Sequence, residues 1–125
     1  MIADAQITFL PVADLDRSRA FYEDVLGLEL VVDQGACHIF RVSEAGFVGT
    51  CLREDALAAE GVIVTVVADD VDGWCERVVS AGGSLERGPE HNDRFGIYHA
   101  FLRDPDGHLI EVQRFDDPDW FVVAN

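Results

Sequence analysis

The residues best suited to chemistry gather around one carboxylate and two histidines. Glu111 stands in Leu109-Ile-Glu-Val-Gln-Arg-Phe115, four residues after Gly107 of the turn Asp104-Pro-Asp-Gly107. In such a turn proline presets φ, aspartates bond the nearby backbone and glycine takes a positive φ. The alternation that follows reads as a strand, with Leu109, Glu111 and Gln113 on one face and Ile110, Val112 and Arg114 on the other. A mid-strand carboxylate is costly to bury unless it is paired or used, so Glu111 marks either a solvated face or a site. His38 and His99 lie in the short runs His38-Ile-Phe40 and His99-Ala-Phe101. An imidazole beside a carboxylate can exchange protons, and two imidazoles with a carboxylate can hold a divalent ion.

These groups must be positioned by strands and helices that occur twice. Ile7–Val12 reads as a strand, and Asp14 or Asp16 can cap a helix over Arg17–Leu26 that Gly27 ends. Strands follow at Leu28–Val32, Cys37–Val42 and Phe47–Arg53, before a linker over residues 54–61. The order then returns. Val62–Ala68 is a strand, Asp69–Asp72 starts a helix to about Ala81, and Gly82-Gly83 stops it. A short strand at Ser84–Glu86 and longer ones at Tyr98–Arg103 and Leu109–Phe115 complete the second half.

Each half is therefore β-α-β-β-β. Asp14 with Asp70 and Ile7 with Ile63 give an offset of 56, whereas His38 with His99, Gly46 with Gly107 and Thr50 with Glu111 give 61. The extra residues fall in Arg87–Gly96, where Gly88–Gly96, carrying His91 and Asn92, would form a lid. His108, in the turn, reads as structural or exposed. The expected fold class is α+β, with two tandem βαβββ modules forming a cup-shaped mixed sheet and helices on its convex side. Alternation sends Val64, Val66, Ala100 and Leu102 toward the helices. Ile63, Thr65, His99 and Phe101 face the cup, and the repeat adds His38 and Phe40 to them.

Composition bounds the partners. A chain of 125 residues suits one domain, with modules at about 5–53 and 62–115 and an apolar-ended tail at 116–125. The formal net charge is −15 and all nine basic residues are arginines. That surface argues against nucleic acid and favours cationic small molecules. No apolar run approaches the ~18 residues needed to cross a bilayer. Met1-Ile-Ala-Asp-Ala5 lacks a basic stretch followed by an apolar one, so the expected location is cytoplasmic. Cys37, Cys51 and Cys75 are odd in number and lack CxxC spacing, so reduced thiols are expected, with neither zinc site nor disulfide framework.

The stretches Ala13-Asp-Leu-Asp-Arg-Ser-Arg-Ala-Phe-Tyr-Glu-Asp-Val-Leu-Gly-Leu28 and Asp104-Pro-Asp-Gly-His-Leu-Ile-Glu111, with the repeat, resemble the vicinal oxygen chelate superfamily. That group includes glyoxalase I, fosfomycin and bleomycin resistance proteins and extradiol dioxygenases. The resemblance implies paired βαβββ modules, a homodimer and a small-molecule cavity. In metal-dependent members of the family, ligands come from the first and last strands of each module. The matching positions here hold Ile7, Ile63, Thr50 and Glu111. One carboxylate is not a metal site, so no cofactor is expected and ligand sequestration of the bleomycin-resistance type is implied. The alternative is an enzyme using Glu111 with His38 and His99 as acid–base groups, or as a non-standard divalent metal site. Phe40, Phe101, Gln113, Thr50, Ile7, Ile63 and Asn92 would line the ligand in either case.

Overall fold

The computed structural model describes residues 1–56, 58 and 60–120. The first half comprises β1 (Gln6–Val12), α1 (Leu15–Arg19), β2 (Glu29–Asp33), β3 (Cys37–Arg41) and β4 (Gly46–Leu52), and α1 continues as a π-helical segment, Ala20–Val25. In the second half follow β5 (Ile63–Val67), α2 (Val71–Ser80), β6 (Arg87–Asn92), β7 (Ile97–Arg103) and β8 (Leu109–Phe115). Both helices start on the aspartates that the sequence offers. Asp14 accepts from the Arg17 amide at 3.0 Å and Asp70 from the Gly73 amide at 2.9 Å, each satisfying one orphan donor of a first turn.

The strands form two mixed four-stranded sheets, ordered β1-β4-β3-β2 and β5-β8-β7-β6. The first and last strands of each module run parallel and the other pairs antiparallel. One buried core joins both modules, through Leu10, Phe40 and Val48 of the first sheet, Val66, Ala100, Leu102, Ile110 and Val112 of the second, Tyr22 and Leu26 beside α1, and Val71, Cys75 and Val78 of α2. The α+β class and the two tandem modules are thus as the sequence indicates. Among the described residues, no helix is long and apolar enough to cross a membrane.

The Asp104–His108 turn clips the modules together. Asp106 accepts from the Ala13 amide at 3.0 Å and from Arg17 at 3.1 Å. His108 Nε2 donates to the Pro11 carbonyl at 2.8 Å, so this buried histidine is structural. Asp104 accepts from the amides of Asp106 and His108 with one oxygen and from the Tyr22 hydroxyl, at 2.8 Å, with the other. Burial, and then the adjacent Asp104 carboxylate, hold the Tyr22 phenol well above its ordinary pKa of 10.0. The contribution of this group to stability is complete below pH 10.0 and falls as pH rises beyond it, because only the unfolded chain then ionises. Tyr22→Phe, which strands one buried Asp104 oxygen, is expected to cost about 1–3 kcal/mol at neutral pH. It should also make the alkaline loss shallower. Urea midpoints at neutral pH and above pH 10 check both, and an unchanged alkaline slope would contradict the assignment.

Two sequence expectations are corrected. The short strand placed at Ser84–Glu86 is absent, and Arg87–Asn92, expected within a loop, is strand β6, paired with β7 through Glu90↔His99, His91↔Tyr98 and Asn92↔Ile97. Its polar sequence and Gly88-Pro89 hide it from pattern reading, because an edge strand tolerates proline at a bulge and needs no apolar alternation. Most of the expected lid is therefore one side of a hairpin. The cysteines expected to be reduced also differ: Cys37 and Cys51 form a disulfide across β3 and β4, and only Cys75 is free, on the buried face of α2. A separation of 14 residues carries no sign of this. The two are adjacent only because the strands pair Cys37 with Cys51.

Candidate functional site

Strand register decides which side chains share a surface, since directly paired residues point to the same face. In the second module the helix-free face carries three rows across β5, β8 and β7. They are Ile63, Leu109 and Arg103; Thr65, Glu111 and Phe101; and Val67, Gln113 and His99. The corresponding rows of β1, β4 and β3 are Ile7, Phe47 and Arg41; Phe9, Gly49 and Ile39; and Pro11, Cys51 and Cys37. Phe9 and Thr65 keep the offset of 56, but Gly49 and Glu111 are 62 apart, as are Arg41 and Arg103.

The offset of 61 is therefore wrong by one residue, and a one-residue slip turns every side chain to the opposite face. His38, Phe40 and Thr50 are not counterparts of His99, Phe101 and Glu111. They lie on the helix side of the first sheet, where Phe40 is fully buried and stacks on Tyr22 with centroids 5.5 Å apart. His38 Nε2 stands 3.6 Å from Asp33 Oδ1, while His38 Nδ1 and Thr50 Oγ1 are buried with no partner among the described residues. A site combining His38 with His99 and Glu111 is thus not assembled. The true counterparts of Glu111, His99 and Gln113 are Gly49, Cys37 and Cys51.

What the second module does assemble is a dense polar cluster. Glu111 and His99 are buried, with His99 Nδ1 2.6 Å from Glu111 Oε2. Thr65 donates its hydroxyl to Glu111 Oε1 at 2.9 Å. With its amide nitrogen turned toward the carboxylate, the orientation that satisfies both amide atoms, Gln113 donates to both Glu111 oxygens at 3.1 Å. Three donors converge on one carboxylate, which offsets the cost of burying it. Because Glu111 accepts at Nδ1, the proton sits there and Nε2 is left as the acceptor. Nε2 has no hydrogen-bond partner among the described residues. Phe101 packs edge-on against the imidazole at 4.9 Å.

The first module opposes this cluster with hydrocarbon and sulfur. A Cβ at Gly49 would collide with the Phe9 ring, so the aromatic ring lies where the pseudo-equivalent carboxylate would project. Ile7 and Ile63, 41% and 46% exposed, stand where first-strand imidazoles would in a metal-dependent relative. One carboxylate among Ile7, Gly49, Ile63 and Glu111, already committed to three donors, does not fit the family's divalent metal centre. Asn92, at the tip of β6, is occupied in its own turn, accepting from the Phe95 amide at 3.3 Å.

Between the modules runs a cleft of about 850 Å³, walled by Thr8, Phe47 and Val48 on one side and Ile63, Thr65 and Val67 on the other. Thr65 links that cleft to Glu111. A second cleft, of about 650 Å³ beside Leu28, Trp74 and Arg77, contains no member of the polar cluster. Sequence reading placed Thr65 on the cup face beside Ile63 but did not count it among the site residues. It had no signal for Phe9 over Gly49. At the C-terminus Trp120 stacks on Phe115 with centroids 4.4 Å apart, and the rest of the apolar tail lies outside the described residues.

Comparison with known proteins places this geometry. A family model described as the Glyoxalase/Bleomycin resistance protein/Dioxygenase superfamily matches residues 5–112. A lactoylglutathione lyase of Haemophilus influenzae is 31% identical over 125 residues, spanning 83% of this chain and 87% of that protein. A lactoylglutathione lyase of Neisseria meningitidis is 34% identical over 120 residues, with 83% and 85% covered. Among solved structures, a glyoxalase/bleomycin resistance protein from Albidiferax ferrireducens superposes with a TM-score of 0.70 at 27% identity, covering 87% of this chain and 96% of that one. TioX from a Micromonospora species gives 0.74 at 22% identity, with 90% and 98% covered, a likeness of fold alone.

Proposed function

Since the chain belongs to the Glyoxalase/Bleomycin resistance protein/Dioxygenase superfamily, we propose that it uses that fold to bind a small organic molecule without the family's metal centre. One observation carries this reading. The surface that would present four metal ligands presents Ile7, Ile63, Gly49 beneath Phe9, and a Glu111 already engaged by His99, Thr65 and Gln113. Such a surface suits a ligand with an apolar body and one donor or cationic group directed at His99 Nε2. The net charge of −15 attracts cations at longer range. Sequestration of the bleomycin-resistance type follows, by a homodimer acting in the cytoplasm.

A specific observation favours a second reading. Glu111 fixes the His99 tautomer and leaves Nε2 as a free acceptor, the arrangement of an oriented general base. The protein would then transfer a proton on the ligand it binds.

Titration with bleomycin as the cationic probe, joined to mass spectrometry of the recovered probe, separates the readings. Unchanged recovery supports sequestration and conversion supports catalysis. His99→Ala should weaken binding at least about tenfold, or ~1.4 kcal/mol. His38→Ala, on the helix side, should leave the affinity of the folded protein unchanged. Equal losses in both variants would mean that the cluster is not the binding site. One tightly held divalent ion per chain, lost on Glu111→Gln, would overturn the metal-free reading. A monomeric mass by sedimentation would remove the homodimer.

A further inference from the structure

The helix-free face of the first module carries the Cys37–Cys51 disulfide in the row where the second module carries His99 and Gln113. Both cysteines are half-buried rather than sealed in the core. Cys75 is different. It is buried in the core, and burial, followed by the nearby Asp72 carboxylate, raises its thiol above the ordinary value. Redox chemistry is thereby directed to one pair, which stands on the helix-free face of the first sheet in the row next to Phe9, Gly49 and Ile39.

We propose that Cys37–Cys51 is a thiol–disulfide exchange site for low-molecular-weight thiols, through which they open and modify the first module's side of the helix-free face. An incoming thiolate attacks one Sγ, forming a new sulfur–sulfur bond while the Sγ–Sγ bond breaks. The electron pair leaves on the other cysteine, which takes a proton from solvent. A second thiolate attacks the small molecule's sulfur in this mixed disulfide. The products are an oxidised small disulfide and two cysteine thiols, with the two electrons supplied by the two thiols. In the intermediate the small molecule is tethered on the face opposite the helices, beside Phe9 and Ile39. In a reducing compartment the dithiol prevails, and under oxidation the strands are clamped. The inference is independent of which ligand the protein binds.

The test uses the intact chain and 2-mercaptoethanol. Air-oxidised protein should be lighter than reduced protein by two hydrogens, with no cysteine alkylated by iodoacetamide in the native state. After native treatment with 2-mercaptoethanol, peptide mapping should find Cys37 and Cys51 alkylated and Cys75 still protected. Closing a loop of this length stabilises a fold appreciably, so the same treatment should lower Tm by about 5 °C or more. The double variant Cys37→Ser with Cys51→Ser should show the lower Tm and no response to thiol. Alkylation of both cysteines in oxidised protein would overturn the proposal, as would a disulfide that yields to 2-mercaptoethanol only after denaturation. A thiol-dependent Tm in the double variant would overturn it too.

Discussion

Glu111→Gln is expected to destabilise the chain by about 3 kcal/mol, lower Tm by about 10 °C and abolish the response of ligand binding to His99. The carboxylate receives donors from Thr65, His99 and Gln113, and glutamine can offer only one accepting oxygen to them. Its own amide group would face donors, so at least one buried hydrogen bond is lost outright and the imidazole loses its orienting acceptor. A double-mutant cycle with His99→Ala isolates the pair. Coupling above about 1 kcal/mol is expected for a buried contact of 2.6 Å, measured by urea unfolding of the four proteins. Additivity within about 0.5 kcal/mol would mean that the two side chains do not meet in solution.

Phe40→Ala is expected to be larger still, at about 4 kcal/mol, and to act on stability rather than recognition. The ring is fully buried, stacked on Tyr22 and met edge-on by His38 at 6.2 Å, so truncation opens a cavity in the core shared by both modules. Phe101→Ala is the matched control. Phe101 is half-buried, faces away from the helices and touches His99, so its loss should weaken ligand binding with a smaller thermal effect. Thermal melts with bleomycin titrations on both variants check this. If Phe40→Ala impaired binding while leaving Tm unchanged, the register of β3 derived above would be wrong.

The class of fold was legible because its signals are local. Asp14 and Asp70 cap helices, Gly27 and Gly82 end or follow them at positive φ, and Asp104-Pro-Asp-Gly107 turns the chain between two alternating strands. Each signal depends on a few consecutive residues and on backbone preferences that hold in any context. The parity of β5, β7 and β8 followed from the same alternation, so Glu111, His99, Gln113 and Phe101 were placed on one face without knowledge of their partners. Alternation likewise put Ile63 on that face, where it pairs with Leu109 beside the Thr65 and Glu111 row.

Register was not legible, and only the tertiary structure decided it. The match of His38-Ile-Phe40 with His99-Ala-Phe101 aligned the modules one residue out, because similarity between repeats does not measure which residues pair. The packing does. Phe40 fits under Tyr22, Val48 pairs with Phe40, and Phe9 lies over Gly49, a set that a shift by one residue would reverse. The same long-range pairing joined Cys37 to Cys51, made a strand of Arg87–Asn92 and brought Thr65 to Glu111 across 46 residues. Sequence alone determined which residues could carry chemistry and, in the second module, which strand faces could share a core. Which of them meet was settled by burial and pairing summed over both sheets, energies that no short stretch of the chain contains.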